Sequence, residues 1–215
     1  MHDEKIALEQ IQLNEKQGQI LEAYLKLSER LGVEQITMQK VAKAAKVSLG
    51  IVHYHFNGKS GPSLMDAAIR YVDQESIRFI NFELEKLNLS NKFSGVDDYI
   101  KILFLWIKSK THHSKFYLYH YYHASVHRSH DELARFYITL MLKRLTSLLY
   151  LGIGRGFYPK LVKVEELARD LHAQITGALI LTAYDPRKDS LTFYSSNTIR
   201  ACHHLIKSHH ADCDE

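Results

Sequence analysis

Apolar side chains recur along this chain at the three-to-four-residue spacing of an α-helix almost throughout, a period that leaves little room for any other element. Ile20, Tyr24, Leu27 and Leu31 fall at i, i+4, i+7 and i+11, which predicts a helix over 14–31, and Gly32 follows where a C-terminal glycine belongs. Thr37 can cap a short helix that carries Met38, Val41, Ala42 and Ala45 on one face, and Ser48 can cap another running to about 56. The stretch Asn57-Gly58-Lys59-Ser60-Gly61-Pro62 breaks the pattern. A long helix then carries Leu64, Ala68, Tyr71 and Val72 to about 87. Its expected start is a Ser60 cap, with Pro62 tolerated in the first turn. Further helices are predicted near 96–109, 114–127, 131–154, 164–184 and 190–208. Gly152, Gly154, Gly156 and Pro159 close the third of these, and Asp185-Pro186-Arg187 separates the last two. No alternation of period 2 persists and no internal repeat is found. The expected class is all-α, with a small N-terminal three-helix unit and a larger helical body.

Composition narrows the function classes. With 10 Gly and 3 Pro in 215 residues, collagenous and low-complexity classes are excluded. Two cysteines, Cys202 and Cys213, are too few for a disulfide framework. No uninterrupted apolar run reaches the roughly 18 residues of a membrane span. The polar opening Met1-His2-Asp3-Glu4-Lys5 does not resemble a signal peptide, so a cytoplasmic protein with no membrane partner is expected. The formal net charge of +4 is mild, but its placement is uneven. Residues 35–59 carry Lys40, Lys43, Lys46 and Lys59 with no acidic residue. Residues 99–130 carry five cations and six of the 14 histidines, again without an acid. Either stretch is a candidate phosphate-facing surface or a solvated face.

Residues 38–52 have helix-turn-helix spacing. Val41 and Ala42 lie on the inner face of the first helix, where a small alanine admits a close crossing. Ala45 and Val47 flank the turn, and Val52 and Phe56 seal the second helix. Ser48, Leu49, Ile51, His53 and Tyr54 are left at its start or on its outer side, as a helix entering the major groove requires. Two short helices alone are a weak signal, and the surrounding chain strengthens it. The runs I-L-E-A-Y-L-K-L-S-E-R-L-G, I-T-M-Q-K-V-A-K-A-A-K-V-S-L-G-I-V-H-Y-H-F and N-G-K, from Gln19 to Lys59, resemble the TetR family of transcriptional regulators. The stretch Gly154-Arg155-Gly156-Phe157-Tyr158-Pro159, ahead of a helix with Leu167, Leu171 and Gly177, is loosely similar to that family's body. The resemblance implies a helix-turn-helix DNA-binding domain over 1–60 and a helical ligand-binding and dimerisation domain over 61–215. The expected DNA-binding residues are Thr37, Gln39, Lys46, Ser48, Leu49, Gly50, Ile51, His53, Tyr54 and Lys59.

The chain departs from that family's pattern at several points. The inter-helix turn usually holds glycine, and here it holds Lys46. At φ > 0 a non-glycine costs roughly 1 kcal/mol, which a phosphate contact by the lysine would offset. The usual S-K-G-T-L-Y reads Ser48-Leu49-Gly50-Ile51-Val52-His53, so His53 replaces a phosphate-binding tyrosine. Leu49 and Ile51 can meet thymine methyls but cannot hydrogen-bond base edges. Gly61-Pro62 interrupts what is usually a direct run from the lysine into a helix.

Residues 96–158 are rich in aromatics, and side chains with polar tips suit a pocket for a mostly apolar ligand. Phe104, Trp106, Phe116, Tyr119, His120, His123, Phe136 and Tyr137 are the expected lining, although plain core packing explains any one of them equally well. His120, His123 and His127 share a helical face, and His112-His113, His203-His204 and His209-His210 form pairs. Imidazoles so spaced can share a transition metal. With no H-E-x-x-H, no C-x-x-C and no acid between 99 and 130, hydrogen-bonded or surface histidine is the favoured reading, and no metal or cofactor is expected. Cys202 is read as a core residue. Leu167, Leu171, Ile175, Ala178 and Leu179 form one apolar stripe. Leu191, Tyr194, Thr198, Ile199, Cys202, Leu205 and Ile206 form another, and together they are the expected homodimer seam.

The resulting expectation is a homodimeric DNA-binding regulator without catalytic activity. It acts as a repressor, released from a palindromic double-stranded DNA operator by a small mostly apolar or aromatic effector. The rival is a metal-binding or enzymatic helical protein using the histidine-rich body. It lacks any nucleophile–base–orienter set or phosphate-cradling glycine loop in the sequence.

Overall fold

The computed structural model describes residues 13–56, 63–89, 92–126, 131–160 and 163–209. The described residues are helical, as the periodicity predicts. The helices are α1 (Glu15–Leu31), α2 (Met38–Ala44), α3 (Leu49–Phe56), α4 (Leu64–Leu89), α5 (Val96–Ser109), α6 (Thr111–Val126), α7 (Asp131–Gly154), α8 (Val164–Tyr184) and α9 (Ser190–Ser208). A 3-10 turn at Val33–Gln35 links α1 to α2.

Local chemistry sets several of these boundaries. Asn14 opens α1 with a capping box: its side chain accepts from the Gln17 N–H at 2.9 Å while the Gln17 side chain accepts from the Asn14 N–H at 2.9 Å. Gly32 closes α1 at φ 81°, where glycine adopts a positive φ without a Cβ penalty. Thr37 Oγ1 accepts from the Lys40 N–H at 3.2 Å, and Ser48 Oγ accepts from the Ile51 N–H at 3.3 Å, as both were expected to do. The start of α4 differs from expectation. Ser63 Oγ accepts from the Asp66 N–H at 3.1 Å and donates to the Asp66 carboxylate at 2.6 Å, so Ser63 caps a helix that begins at Leu64. Pro62 and the predicted Ser60 cap lie outside the described residues.

The chain forms two compact units. One comprises 1–78 and 110–129, and the other 79–109 and 130–215. The first unit holds α1, α2, α3, the opening of α4, and α6. Its buried side chains include Ile20, Leu21, Tyr24 and Leu25 from α1, Val41 and Ala42 from α2, and Val52 and Phe56 from α3. Phe116 of α6 meets the Tyr24 ring edge-on at 5.7 Å. The second unit is built around Ile100, Phe104, Leu145, Leu149, Leu167, Leu171 and Cys202.

Two sequence readings of the second unit change. Of the twelve α8 and α9 stripe residues expected at a homodimer seam, Leu167, Leu171, Ile175, Ala178, Thr198, Cys202 and Ile206 are buried within this one chain, where α8 and α9 pack on each other, while Leu179, Leu191, Tyr194, Ile199 and Leu205 are partly buried. The reading of Cys202 as core holds. Apolar exposure lies elsewhere on this helix pair, at Leu181, Tyr184 (79% exposed) and Phe193. In addition, α7 is long and apolar enough over Arg135–Gly154 to span a membrane by length and composition. Met141, Leu145, Leu148 and Leu149 of that stretch are buried in the unit, while most of the stretch is not.

Candidate nucleic-acid interface

The turn between α2 and α3 is held by backbone chemistry. Past the last residues of α2, Lys46 adopts φ 53°, the left-handed region. The Val47 N–H donates to the Ala42 carbonyl at 3.0 Å and the Lys46 N–H donates to the Lys43 carbonyl at 3.3 Å. These two bonds are the Schellman arrangement, which satisfies carbonyls a helix end would leave orphaned. Its left-handed position usually falls to glycine, so a lysine there stores strain of roughly 1–2 kcal/mol. The turn is also tied to α1, since Gln19 Nε2 donates to the Ala45 carbonyl at 2.8 Å.

This turn sets the angle at which α3 leaves. Val52 and Phe56 are fully buried, so the opposite side of α3 faces outward. On that side Tyr54 is 80% exposed and Ile51 37%, while Gly50 and His53 are exposed and Leu49 is half-buried. Thr37, Gln39, Lys43, Lys46 and Ser48 are also exposed. Lys40 reaches back instead, its Nζ donating to the Gln35 carbonyl at 2.7 Å. Among the described residues from 35 to 56 there is no carboxylate, which makes this an electropositive and uncompensated face. The N-terminal N–H groups of α2 and α3 add partial positive charge where a phosphate can lie. Of the expected DNA-binding residues, nine are thus placed around the turn and the outer side of α3, and Lys59 lies outside the described residues.

The residues expected to line a pocket divide between the two units. Phe104, Trp106, Phe136 and Tyr137 belong to one, and Phe116, Tyr119, His120 and His123 to the other. Phe104 sits within the core of its unit and Phe116 packs on Tyr24, while Trp106 and His120 are also buried. The His123 side chain lies outside what the structure describes.

Residues 20–61 match the sequence profile described as "Bacterial regulatory proteins, tetR family". Over that stretch the chain is similar to the tetR family. The match begins at Ile20 within α1, takes in α2, the turn and α3, and ends ahead of α4. The whole chain also shares its fold with solved regulators. A transcriptional regulator from Rhodococcus sp. Rha1 superposes with a TM-score of 0.72 at 16% identity, over 89% of this chain and 96% of that one. A TetR transcription regulator from Haloarcula marismortui gives 0.71 at 16% identity, over 89% and 98%. FadR from Thermus thermophilus, described as a TetR family transcriptional repressor in complex with lauroyl-CoA, gives 0.60 at 15% identity, over 93% and 99%. At such identities the likeness establishes the fold: the chain has the all-helical fold of tetR-family transcriptional regulators. None of the curated proteins matches the sequence significantly.

Sequence reasoning missed a second polar constellation, in the same unit. Glu22 of α1 meets His112 and His113 of α6 and Tyr71 of α4. His112 Nε2 lies 3.0 Å from Glu22 Oε2, His113 Nε2 lies 2.8 Å from Glu22 Oε1, and the Tyr71 hydroxyl donates to Oε1 at 2.9 Å. Burial opposes ionisation of Glu22, yet the hydrogen bonds from His113, His112 and Tyr71 prevail and hold its carboxyl well below the usual carboxylate range. Burial and the adjacent Glu22 carboxylate push the Tyr71 phenol up. The sequence contained one cue, the adjacent pair His112-His113. Its carboxylate partner lies ninety residues earlier.

Proposed function

We propose that this protein is a homodimeric transcriptional repressor that leaves a palindromic operator when a small, mostly apolar molecule binds its helical body. The observation that carries this reading is α3: a short helix sealed by Val52 and Phe56 and presenting Ser48, Leu49, Gly50, Ile51, His53 and Tyr54 outward from a carboxylate-free face. In the functional division, 1–60 binds DNA and 61–215 binds effector and partner subunit. Thr37, Gln39, Lys46 and Lys59 contact phosphates, and Leu49 and Ile51 meet thymine methyls, while His53 and Tyr54 lie toward the backbone flanking the groove. Two copies related by a two-fold axis read half-sites about one helical turn, or a multiple of it, apart.

The exposed Leu181, Tyr184 and Phe193, with the partly buried Leu179, Leu191, Tyr194, Ile199 and Leu205 of the two stripes, supply an apolar surface for the partner subunit. For the effector, the lauroyl-CoA held by the Thermus protein makes long-chain acyl thioesters the first compounds to test, with aromatic compounds second. Phe104, Trp106, Phe116, Tyr119, His120, His123, Phe136 and Tyr137 remain the residues proposed to respond to it. The effector acts by preferring the conformation that binds DNA poorly, and a preference of a few kcal/mol suffices.

Selection of genomic fragments on the purified protein, followed by band shifts at two salt concentrations, tests the DNA reading. Enrichment of one inverted-repeat sequence, released by an acyl-CoA that also raises Tm, is the expected result. Retention of no fragment above random DNA overturns it.

A further inference from the structure

We propose that Glu22, His112 and His113 form a binding site for a divalent transition metal, of the Zn²⁺, Co²⁺ or Ni²⁺ class, that clamps α6 to α1. Candidate ligand atoms from these three residues lie within 4.8 Å of one another. The donor set is two imidazole nitrogens and one carboxylate oxygen, which suits zinc and its neighbours rather than magnesium or calcium.

Ligand atoms about 2.1 Å from a tetrahedral zinc lie about 3.4 Å apart. The two Nε2 atoms lie 3.0 and 2.8 Å from the two different oxygens of the Glu22 carboxylate, and one ligand atom from each residue falls within 4.8 Å of the others. An ion enters by widening the imidazole–carboxylate contacts by about half an ångström and by side-chain rotations that draw the most separated ligand atoms together. Each imidazole then offers Nε2 as a lone pair with its N–H on Nδ1, which at His113 is buried without a hydrogen-bond partner and sets a cost that the metal bond must exceed, and an imidazole that began protonated releases its proton to solvent. The Tyr71 hydroxyl remains hydrogen-bonded to the carboxylate and orients it, as partners of metal ligands commonly do. His112 is partly exposed and provides the entry side, where water completes the fourth position, whereas His113 is fully buried and fixed by packing.

The arrangement matters because of what α1 holds. Glu22 lies one residue short of a full turn from Gln19, whose side chain secures the Ala45 carbonyl at the helix-turn-helix. A metal at Glu22 therefore stiffens the helix that positions the turn. This site is separate from the DNA contacts and from the proposed effector, and it stands whether or not those assignments hold.

The test titrates the purified full chain with Zn²⁺ against a chromophoric chelator and records the zinc-edge X-ray absorption of the loaded protein. One ion per chain is expected, with a shell of two imidazoles and oxygen donors, and a Tm that rises with Zn²⁺ and falls back on chelation. Glu22→Gln and His112→Ala should each weaken binding by at least about tenfold, since losing a ligand costs no less than losing one of its outer partners. His203→Ala, at a histidine paired with Asp97 in the other unit, should bind as wild type. Equal affinity in wild type and His112→Ala overturns the site, as does a zinc shell of oxygens alone or of three or more imidazoles. The spectrum of the wild-type protein decides the matter even where a variant fails to fold.

Discussion

Lys46 occupies a backbone conformation that costs a side chain free energy while holding a cation beside the proposed DNA-binding helix, and replacing it separates the two effects. At φ 53° a residue with a Cβ carries roughly 1–2 kcal/mol of strain that glycine does not. Glycine in turn loses more freedom on folding, which returns about 0.5–1 kcal/mol. The net for Lys46→Gly is a stabilisation of up to about 1.5 kcal/mol, since the two hydrogen bonds of the turn involve main-chain atoms and survive the change. For a chain of this length that corresponds to a Tm rise of up to about 6 °C. Lys46→Ala is the matched control: it removes the same cation but keeps the strain, so its Tm should not rise. Both variants should bind DNA more weakly, for cognate and random sequence alike, with a salt slope shallower by about 0.9 for the lost phosphate contact. Calorimetry and band shifts over a salt series read the two quantities independently. A Tm for Lys46→Gly at or below that of Lys46→Ala would refute the strain argument. Salt slopes equal to wild type in both variants would remove Lys46 from the phosphate contacts.

Phe56→Ala should cost about 3–5 kcal/mol in urea denaturation, because the ring is buried where α3 seals against its unit. Gly152→Ala should destabilise by about 1–3 kcal/mol, since a Cβ there runs into the ring of Tyr158; normal stability would show that the ring yields freely. Burial pushes the Cys202 thiol up to about 12 and the Tyr158 phenol up to about 12. Unfolded chains lose these protons from near pH 9 and 10 while the folded protein keeps them, so stability should fall as pH rises from about 9 to 12, less steeply in Cys202→Ala when Tm is followed against pH. Burial alone lowers the pKa of His172, so the unfolded state takes up a proton first on acidification; stability should drop as pH falls below about 6.5, and His172→Gln should flatten that drop.

What the sequence discloses and what it hides follow the range of the interactions involved. Boundaries set within a few residues were legible: the Thr37 and Ser48 caps, the Gly32 stop and the apolar spacing of Ile20, Tyr24 and Leu27 are local chemistry, and the helices formed where that chemistry puts them. Ser63 shows the limit even at short range. Ser60 and Ser63 are both capable caps, and the second works with an aspartate three residues on, a pairing that favours Ser63 once the two are weighed together. The α8 and α9 stripes were found correctly, and seven of their twelve residues are covered by the same chain. Periodicity reports that a face is apolar, not which surface covers it, and the neighbouring helix of the same chain is available at far higher effective concentration than a second subunit.

Glu22 marks the other limit. Seen along the sequence, it is one acid on an ordinary amphipathic helix, and the histidines of 99–130 lie in a stretch with no acidic residue at all, which argued against a metal. Folding brings α6 against α1, and the missing carboxylate arrives from ninety residues away, to accept hydrogen bonds from His112, His113 and Tyr71. Pairwise spacing within a helix could not contain that information. The sequence did hold one indirect sign: a carboxylate flanked by Leu21, Ala23, Tyr24 and Leu25, all buried, has to find cationic or hydrogen-bonding partners from another element. An acid set among core residues of a helix is therefore a request for a distant partner, and among the helices of this unit α6 and α4 supply it.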